Sequence, residues 1–570
     1  MARKTQSKNT AFIVVLAVLM IAAIVVGILI SKNSGKTTQE VSHENAVQML
    51  DKKLKKITIK TNSPKKANVE ISGNTLAEEL PDISKYPLSV EGSGRLNLEI
   101  FSSTEKSSKG TDGWLNEVAQ KFNASGETVD GMSASVSVRP IASGAAIDYI
   151  ISGKYVPQLY TPSNELWGAM VEAENSTPIK LIAKRIAGNT AGILVSKDTY
   201  NKLQASYGNV DCSAVIKATV NNEITMGYTN PYSSSTGLNF LASALLEFDA
   251  SDMLSATATA QFQKFQQNVP FVAYSTLQMR DAATNGILDA FIMEYQGYHN
   301  ATELRDYQFI PFGVRHDSPM YTLGNLSPAE EELAKKFTAF CLSAEMQELA
   351  KKYGFNYMDD YTAASWGDTI SGSSLVSAQK LWKKEKDAGN PVMAVFVADV
   401  SGSMGGAPLK NLQTSLINAS QYINSTNYVG LVSYSTNVAI ELPIAKFDLN
   451  QRSYFTGAVQ SLSAGGNTAT YDAVLVALDL LQKAKETAEA QGETIKPLLF
   501  VLSDGETNVG NDLNDIKDIV QGMEVPCYTI GYNSKPELLE GLSAINEAAN
   551  INADTDDVVY NLKGLFNAQM

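Results

Sequence analysis

One apolar run constrains the C-terminal third of this 570-residue chain more than any other feature. Residues 392–399 read VMAVFVAD, in which every side chain before the final aspartate is apolar. A strand without polar alternation is buried on both faces, which is typical of a parallel sheet covered by helices. Further apolar runs and helical patterns follow in alternation, at 428–435, 470–486, 496–506 and 525–532. The pattern predicts a doubly wound α/β sheet.

Oxygen-bearing side chains follow the strands of this block. Asp399, Ser401 and Ser403 stand in D-x-S-x-S order directly after the first strand. Thr468 lies in GGNTATYDA, and Asp504 follows a later strand. Ligands of a doubly wound sheet bind at the carboxyl ends of its strands, so we expect these five side chains to meet there. Carboxylates and hydroxyls suit a small divalent cation, Mg²⁺ foremost, with Mn²⁺ and Ca²⁺ as alternatives.

Five donors that carry only two charges do not complete a six-coordinate shell. Such an ion would keep water ligands, and a carboxylate from another molecule could replace one of them. The ion would then bridge this chain to an Asp or Glu of a protein partner.

This block resembles the von Willebrand factor type A domain over residues 391–570. The likeness is carried by Asp399, Ser401, Ser403, Thr468 and Asp504, which match the family's motif with none missing. It implies a Rossmann-like sheet, a metal-ion-dependent adhesion site at those residues, and adhesion to proteins.

The middle block, residues 90–385, alternates short apolar strands with helical patterns, which favours a second α/β domain. Hydroxyl residues stand at several junctions between a strand and a helix. The first N–H groups of a helix have no partner within the helix, so such junctions bind anions or polar ligands. A single Ser or Thr at a helix start is ordinarily only a cap.

The order of these segments resembles an extracellular solute-binding protein of the periplasmic-binding-protein superfamily. The likeness rests on FSSTEK (101–106), SGAAIDYIISGKYVPQLYTPSN (143–164), GYTNPYSSSTGLNFL (227–241) and GILDAFIMEYQ (286–296). It implies two lobes that close over a small polar or anionic ligand at a hinge. By position, the implied ligand contacts are Ser102, Ser103, Ser143, Ser235 and Thr236. No Arg or His stands in these loops to fix a ligand charge, and a lobe pair kept only as a scaffold is the alternative.

Residues 11–30 read AFIVVLAVLMIAAIVVGILI, an apolar run long enough for one membrane-spanning helix of about 30 Å. Arg3, Lys4 and Lys8 precede it, which favours a cytoplasmic segment at 1–10. No small-residue cleavage site follows the run, so an uncleaved signal anchor is favoured over a cleaved signal peptide. We therefore expect a single-pass protein of the cell membrane with most of its chain outside the cytoplasm.

The segment between this run and the middle block, residues 31–89, is polar and rich in lysine. Its composition favours a solvated tether, with a segment resting on anionic lipid or wall polymer as the alternative.

Composition excludes several classes of function. A net charge of -14 disfavours nucleic acid as a partner, because phosphates would be repelled. The three cysteines are far apart in sequence, which rules out a CxxC zinc or redox site. No histidine follows Ser403, as a serine hydrolase of the α/β class requires, so we expect a protein that is not an enzyme. Two interpretations remain: an adhesion protein that binds partners through its metal site, or a tethered receptor for a small solute.

Overall fold

The computed structural model describes residues 41–68, 76–269, 272–273, 279, 288–368, 370–504, 507–532, 537–546, 550–552, 562, 565–566 and 569–570. The apolar run at 11–30 lies outside these residues. None of the helices within them is long and apolar enough to cross a membrane.

The secondary structure alternates between strands and helices along the described chain. The strands are β1 Ile59–Thr61, β2 Leu96–Ser102, β3 Thr128–Val129, β4 Met132–Pro140, β5 Leu159–Thr161, β6 Ile179–Ala183, β7 Thr190–Ser196, β8 Met226–Thr229, β9 Val272–Ala273, β10 Ala290–Glu294, β11 Tyr307–Arg315, β12 Met320–Leu323, β13 Val392–Asp399, β14 Tyr428–Tyr434, β15 Val438–Lys446, β16 Lys496–Ser503, β17 Cys527–Gly531 and β18 Asn550–Asn552. The helices are α1 His43–Leu54, α2 Leu76–Glu79, α3 Thr104–Ser107, α4 Trp114–Ala124, α5 Ser143–Ser152, α6 Leu166–Glu174, α7 Lys197–Tyr207, α8 Cys212–Val220, α9 Ser235–Phe248, α10 Ala256–Gln266, α11 Tyr295–Asn300, α12 Pro328–Cys341, α13 Ala344–Lys352, α14 Gly372–Glu385, α15 Ala407–Ala419, α16 Leu449–Ser461, α17 Thr470–Glu489, α18 Leu513–Met523 and α19 Glu537–Ser543.

The C-terminal sheet has the order β1-β15-β14-β13-β16-β17-β18. Neighbouring strands are parallel except β15, which runs antiparallel to β14. Alternate residues of the central strand β13 enter two cores: Phe396 packs with α15 and α16 on one face, and Val397 with α17 and α18 on the other. Helices on both faces explain why the strand is apolar throughout. The α/β prediction for this block is confirmed.

The N-terminal segment differs from the expected solvated tether. Over residues 41–68 it packs against the C-terminal domain. Helix α1 buries Ala46 and Leu50 in the core beside α18, and β1 adds a parallel strand to the edge strand β15. Ala46 and Leu50 are four residues apart and so lie on one face of a helix, which is a sign of an amphipathic helix. The high lysine content of the segment favoured the tether interpretation instead.

The middle block forms two lobes, each built on its own sheet. The first lobe contains the sheet β3-β4-β2-β5-β12-β6, and the second contains β11-β7-β10-β8-β9. The chain passes between the lobes more than once, since β12 returns to the first sheet after β11 has completed the second. The α/β layering is as the sequence pattern predicts, and the two lobes are as the resemblance to solute-binding proteins implies.

Helix α14 packs against both lobes before the chain enters the C-terminal domain. Its Leu375 lies in the apolar core of the first lobe, and its Trp382 lies in the core of the second. The Trp382 indole N–H donates to the Tyr228 hydroxyl at 2.7 Å. Burying a tryptophan with its polar atom satisfied stabilises this contact, so α14 links the lobes along one side.

The three cysteines are free thiols. Cys341 and Cys527 are buried and Cys212 is partly buried. Burial raises the pKa of all three thiols far above the ordinary range, as expected of unreactive core residues.

Candidate functional site

Two neighbouring strands bring together four of the five residues that the sequence analysis expects to hold a metal: Asp399, Ser401, Ser403 and Asp504. Strands β13 and β16 are parallel, with Ala398 opposite Leu502, so their carboxyl ends meet at one edge. The first strand ends at Asp399, and the second ends at Ser503, immediately before Asp504. Residues about a hundred positions apart in sequence therefore face one another because of strand pairing alone.

The side chains at this edge form a chain of hydrogen bonds. The Ser403 hydroxyl donates to Asp504 Oδ1 at 2.9 Å, and the hydroxyls of Ser401 and Ser403 lie 3.0 Å apart. Because Ser403 gives its proton to Asp504, Ser401 is the donor to Ser403. The Ser401 backbone N–H donates to Asp399 Oδ1 at 2.8 Å, which ties the loop to the end of the strand.

Asp399 is fully buried and is oriented by two hydroxyl groups that the sequence analysis did not identify. Ser503 donates to Asp399 Oδ2 at 2.7 Å, and the Tyr434 hydroxyl donates to the same oxygen at 3.2 Å. Both residues end strands next to β13, and this position is the signal that could have identified them.

Thr468 approaches from a separate loop. The Gly402 N–H donates to the Gly466 carbonyl at 3.0 Å, which fixes that loop beside the D-x-S-x-S turn. The Thr468 backbone N–H donates to Asn508 Oδ1 at 2.9 Å, and its carbonyl accepts from the Asn508 N–H at 3.0 Å. Asn508 is thus a further positioning residue that the sequence analysis missed.

Burial raises the pKa of the Asp504 carboxyl above its ordinary value. The hydrogen bond from Ser403 opposes this shift, and the nearby Asp399 carboxylate adds to it. Two carboxylates held close together repel one another unless a positive charge lies between them. The arrangement therefore favours a cation.

The spacing of the oxygens is that of ordinary hydrogen bonds and equals the separation of adjacent ligands on a small divalent ion. Ligands at about 2.1 Å from an octahedral Mg²⁺ are separated by about 3.0 Å when adjacent. The Ser401–Ser403 and Ser403–Asp504 separations are 3.0 and 2.9 Å. The set depends on hydroxyls: among the described residues, no group of three or more His, Cys, Asp or Glu side chains is placed to hold a metal.

A cavity of about 580 Å³ lies between the two lobes of the middle block. Four of the five residues proposed to contact a solute line it: Ser103, Ser143, Ser235 and Thr236. Ser102 does not line it, because it is fully buried and its hydroxyl donates to the Ser103 carbonyl at 3.4 Å.

The lobes also touch each other directly beside this cavity. The Ser235 hydroxyl of the second lobe donates to the Ser143 hydroxyl of the first at 3.1 Å, and accepts from the Trp167 indole at 2.8 Å. The Gly144 N–H of the first lobe donates to the Ser233 carbonyl of the second at 3.3 Å. The lobes are therefore in a closed arrangement, with these helix starts in contact.

Charged groups that the sequence analysis did not identify stand around the cavity. Glu294 lines it and is hydrogen-bonded to the fully buried His316 (Nδ1 to Oε1, 2.6 Å). The buried Lys106 ammonium lies 3.4 Å from Glu105, which also lines the cavity. The four segments that carry the resemblance contain no Arg or His, as the sequence analysis states, and His316 is brought behind Glu294 from the segment between β11 and β12.

Comparison with known families divides the chain in the same way as the fold. Residues 394–567 match the von Willebrand factor type A domain, and residues 107–356 match the family described as bacterial extracellular solute-binding protein. Both families are binding or adhesion domains.

The C-terminal third also resembles longer animal proteins. It is 29% identical over 182 residues to inter-alpha-trypsin inhibitor heavy chain H4 of Bos taurus. The aligned segment is 30% of this chain and 19% of that protein. The human H4 protein is 27% identical over 181 residues, or 30% of this chain and 19% of that protein. The match spans about a fifth of the length of these relatives.

Solved structures resemble each block separately. A von Willebrand factor type A protein from Catenulispora acidiphila is 18% identical, covers 32% of this chain and 43% of that chain, and has a TM-score of 0.27. The sulfate-binding protein SubI from Mycobacterium tuberculosis H37Rv is 15% identical, covers 50% of this chain and 96% of that chain, and has a TM-score of 0.33. Two separate segments of this chain thus match two families, the bacterial extracellular solute-binding protein over residues 107–356 and the von Willebrand factor type A domain over residues 394–567.

Proposed function

We propose that this chain is a membrane-anchored adhesion protein that binds an acidic residue of a protein partner through a divalent cation. The cation, Mg²⁺ in the first instance, would be held by Asp399, Ser401, Ser403, Thr468 and Asp504. The observation that carries the proposal is the set of hydrogen bonds that joins Asp399 to Ser401, Ser401 to Ser403, and Ser403 to Asp504.

A bound ion would supply an open coordination position for an outside carboxylate. Asp399 is prepared for an ion by its own donors: Ser503 and Tyr434 orient one of its oxygens. Such outer contacts fix ligand geometry and are expected to strengthen metal binding. The hydroxyls of Ser401, Ser403 and Thr468 carry no charge, so the two carboxylates would only balance a divalent ion, and an Asp or Glu of the partner could still replace a water ligand on it.

The proposed location follows from the N-terminal run. Residues 11–30 would span the cell membrane once, and the domains at 90–385 and 391–570 would lie outside the cytoplasm. The segment at 41–68 packs on the C-terminal domain, so that domain would stand near the membrane surface. Twelve residues, 31–42, separate the apolar run from α1, a reach of roughly 40 Å at full extension.

The test uses the purified full chain and the metal alone. Isothermal titration with Mg²⁺, Mn²⁺ and Ca²⁺ should give saturable uptake that Ser403→Ala weakens about tenfold or more. Ser461→Ala, which removes an exposed hydroxyl from α16, is the matched control and should titrate like the wild type. No uptake of any of the three ions by the wild type would refute the metal site.

Adhesion is then tested with envelope proteins captured on the immobilised chain. Partners should be lost in EDTA, regained when Mg²⁺ is restored, and absent from Asp399→Ala that folds normally by circular dichroism. Equal retention in all conditions would refute the metal bridge while leaving metal uptake intact.

A second function, capture of a small solute by the middle block, is favoured by the cavity. Ser143 and Ser235 line it at the start of one helix from each lobe, which is the position that the resemblance implies for a ligand. A pocket of about 580 Å³ is of the size that binds small molecules. Equilibrium dialysis of the full chain against a metabolite panel tests this function, and binding of none of them would favour the scaffold alternative.

A further inference from the structure

The cavity between the lobes is lined by carboxylates and hydroxyls. Four acidic side chains contribute to its wall: Glu105, Asp112, Glu294 and Glu303. Among the described residues that line it, none is Lys, Arg or His, and none is aromatic. Hydroxyl groups from both lobes fill much of the remaining wall. The cavity therefore offers many hydrogen-bond acceptors and four carboxylates, of which Glu105 is already paired with the buried Lys106.

One N–H at each of the two helix starts that an anion would use is engaged by the protein itself. The Gly144 N–H at the start of α5 donates to the Ser233 carbonyl at 3.3 Å. The Gly237 N–H at the start of α9 donates to its own capping residue, the Ser234 hydroxyl, at 3.2 Å. These contacts reduce the attraction that free helix N–H groups would exert on an anion.

One wall of the cavity already accommodates an ammonium group. The buried Lys106 side chain donates to the Ser103 hydroxyl, lies 3.4 Å from Glu105 and 3.4 Å from the Pro162 carbonyl. Burial alone would raise the pKa of Glu105, but Lys106 and the Ser103 hydroxyl outweigh it and leave that pKa lowered. Carboxylate, hydroxyl and carbonyl oxygens together satisfy the three N–H groups of an ammonium.

We propose that this cavity binds a small organic polyamine, a molecule with two or more primary or secondary ammonium groups. The inference rests on the proposed capture of a solute by the middle block, and replaces the small polar or anionic ligand that the sequence suggests. Each ammonium would donate to one or more of the lining carboxylates and to hydroxyls between them.

Two other classes of cation fit less well. A single metal ion would fill a small part of about 580 Å³, and the described carboxylates here do not converge as metal ligands do. A quaternary ammonium has no N–H to donate and is ordinarily held by aromatic rings, which the described lining does not provide. The carboxylates and hydroxyls spread over the cavity wall match the separate ammonium groups of a polyamine.

The test is titration of the purified full chain with spermidine at matched ionic strength. We expect saturable binding that Asp112→Asn and Glu303→Gln each weaken about tenfold or more. Both changes preserve side-chain shape, and the Gln296 amide that donates to Asp112 Oδ1 at 2.9 Å keeps an acceptor. Glu345→Gln, which removes an exposed carboxylate outside the cavity, is the control and should bind as the wild type does.

Parallel titrations with sulfate and with glucose separate the possible failures. Binding of sulfate or glucose without spermidine would overturn the polyamine inference and leave solute capture standing. If Glu345→Gln weakened spermidine binding as much as Asp112→Asn and Glu303→Gln do, the binding would reflect general charge attraction. That result would also overturn the inference. Binding of none of the three probes, together with an unresponsive metabolite panel, would refute solute capture itself.

Discussion

The hydroxyl of Ser403 donates to the carboxylate of Asp504 at 2.9 Å although 101 positions separate them in the chain. The contact exists because β13 and β16 are adjacent and parallel, so the loops after them share one edge of the sheet. Both residues are proposed ligands of one ion, so a substitution at either should weaken the affinity for Mg²⁺.

Asp504→Asn is expected to weaken Mg²⁺ binding about tenfold or more, because the amide has lost the charge that a hard cation requires. Asp504 is only half-buried, so the fold should persist. Calorimetric titration measures the effect. Asp518→Asn, on the exposed face of α18, is the control, and an equal loss there would contradict a local role for Asp504.

Tyr434→Phe is expected to reduce both stability and metal affinity. The Tyr434 hydroxyl donates to Asp399 Oδ2 at 3.2 Å in a fully buried position, so its loss should cost about 1 kcal/mol in the free energy of unfolding. Urea unfolding measures this cost, and Mg²⁺ titration should show weaker uptake because Asp399 is less firmly oriented. Unchanged Mg²⁺ affinity alongside reduced stability would leave Tyr434 a purely structural role.

Gly144→Ala is expected to separate the two lobes of the middle block. A Cβ at Gly144 would lie 1.9 Å from the Tyr232 carbonyl oxygen and 2.7 Å from Ser233 Cα, and backbone cannot yield as a flexible side chain does. Small-angle X-ray scattering should report a larger radius of gyration. Gly465→Ala, where a Cβ has nothing within 4 Å, should leave the scattering unchanged. An unchanged radius for Gly144→Ala would mean that closure does not depend on this contact.

Acid should loosen the N-terminal helix α1 from the C-terminal domain. Asp515 accepts from Lys53 Nζ at 3.0 Å. Its pKa is lowered by the Asp512 backbone N–H and then by Lys53. A carboxyl whose pKa is lowered by folding stabilises the folded state above its ordinary pKa of about 4, and this contribution is lost as the pH falls further.

Hydrogen exchange of the amides at 43–54, corrected for intrinsic rates, measures this change between pH 6 and pH 2. Protection should fall on acidification in the wild type. In Asp515→Asn it should already be weaker at pH 6 and should change less with pH. The same acid profile in both proteins would exclude this ion pair as the cause.

The residues of the proposed metal site could be identified from the sequence because their signals are local. A buried strand that ends in Asp399 fixes which edge of the sheet the following loop occupies, and D-x-S-x-S places three donors within five residues. The two hydroxyls that orient Asp399 could not be identified in this way. Tyr434 and Ser503 become its neighbours only through the order β14-β13-β16, which strand composition does not specify.

The sequence by itself determined the alternation of strands and helices, because the hydrophobic period and the length of each apolar run are local properties. It also identified the five proposed donors, of which four lie at or just after the ends of β13 and β16 and the fifth, Thr468, lies in the loop between α16 and α17. Only the tertiary structure decided the charge of the cavity between the lobes, since Asp112 and Glu294 line it from segments far apart in the chain and His316 is hydrogen-bonded to Glu294. The tertiary structure also decided that residues 41–68 pack on the C-terminal domain. Burial of Ala46 and Leu50 and pairing of β1 with β15 stabilise this packing, while the lysines of the segment stay in solvent.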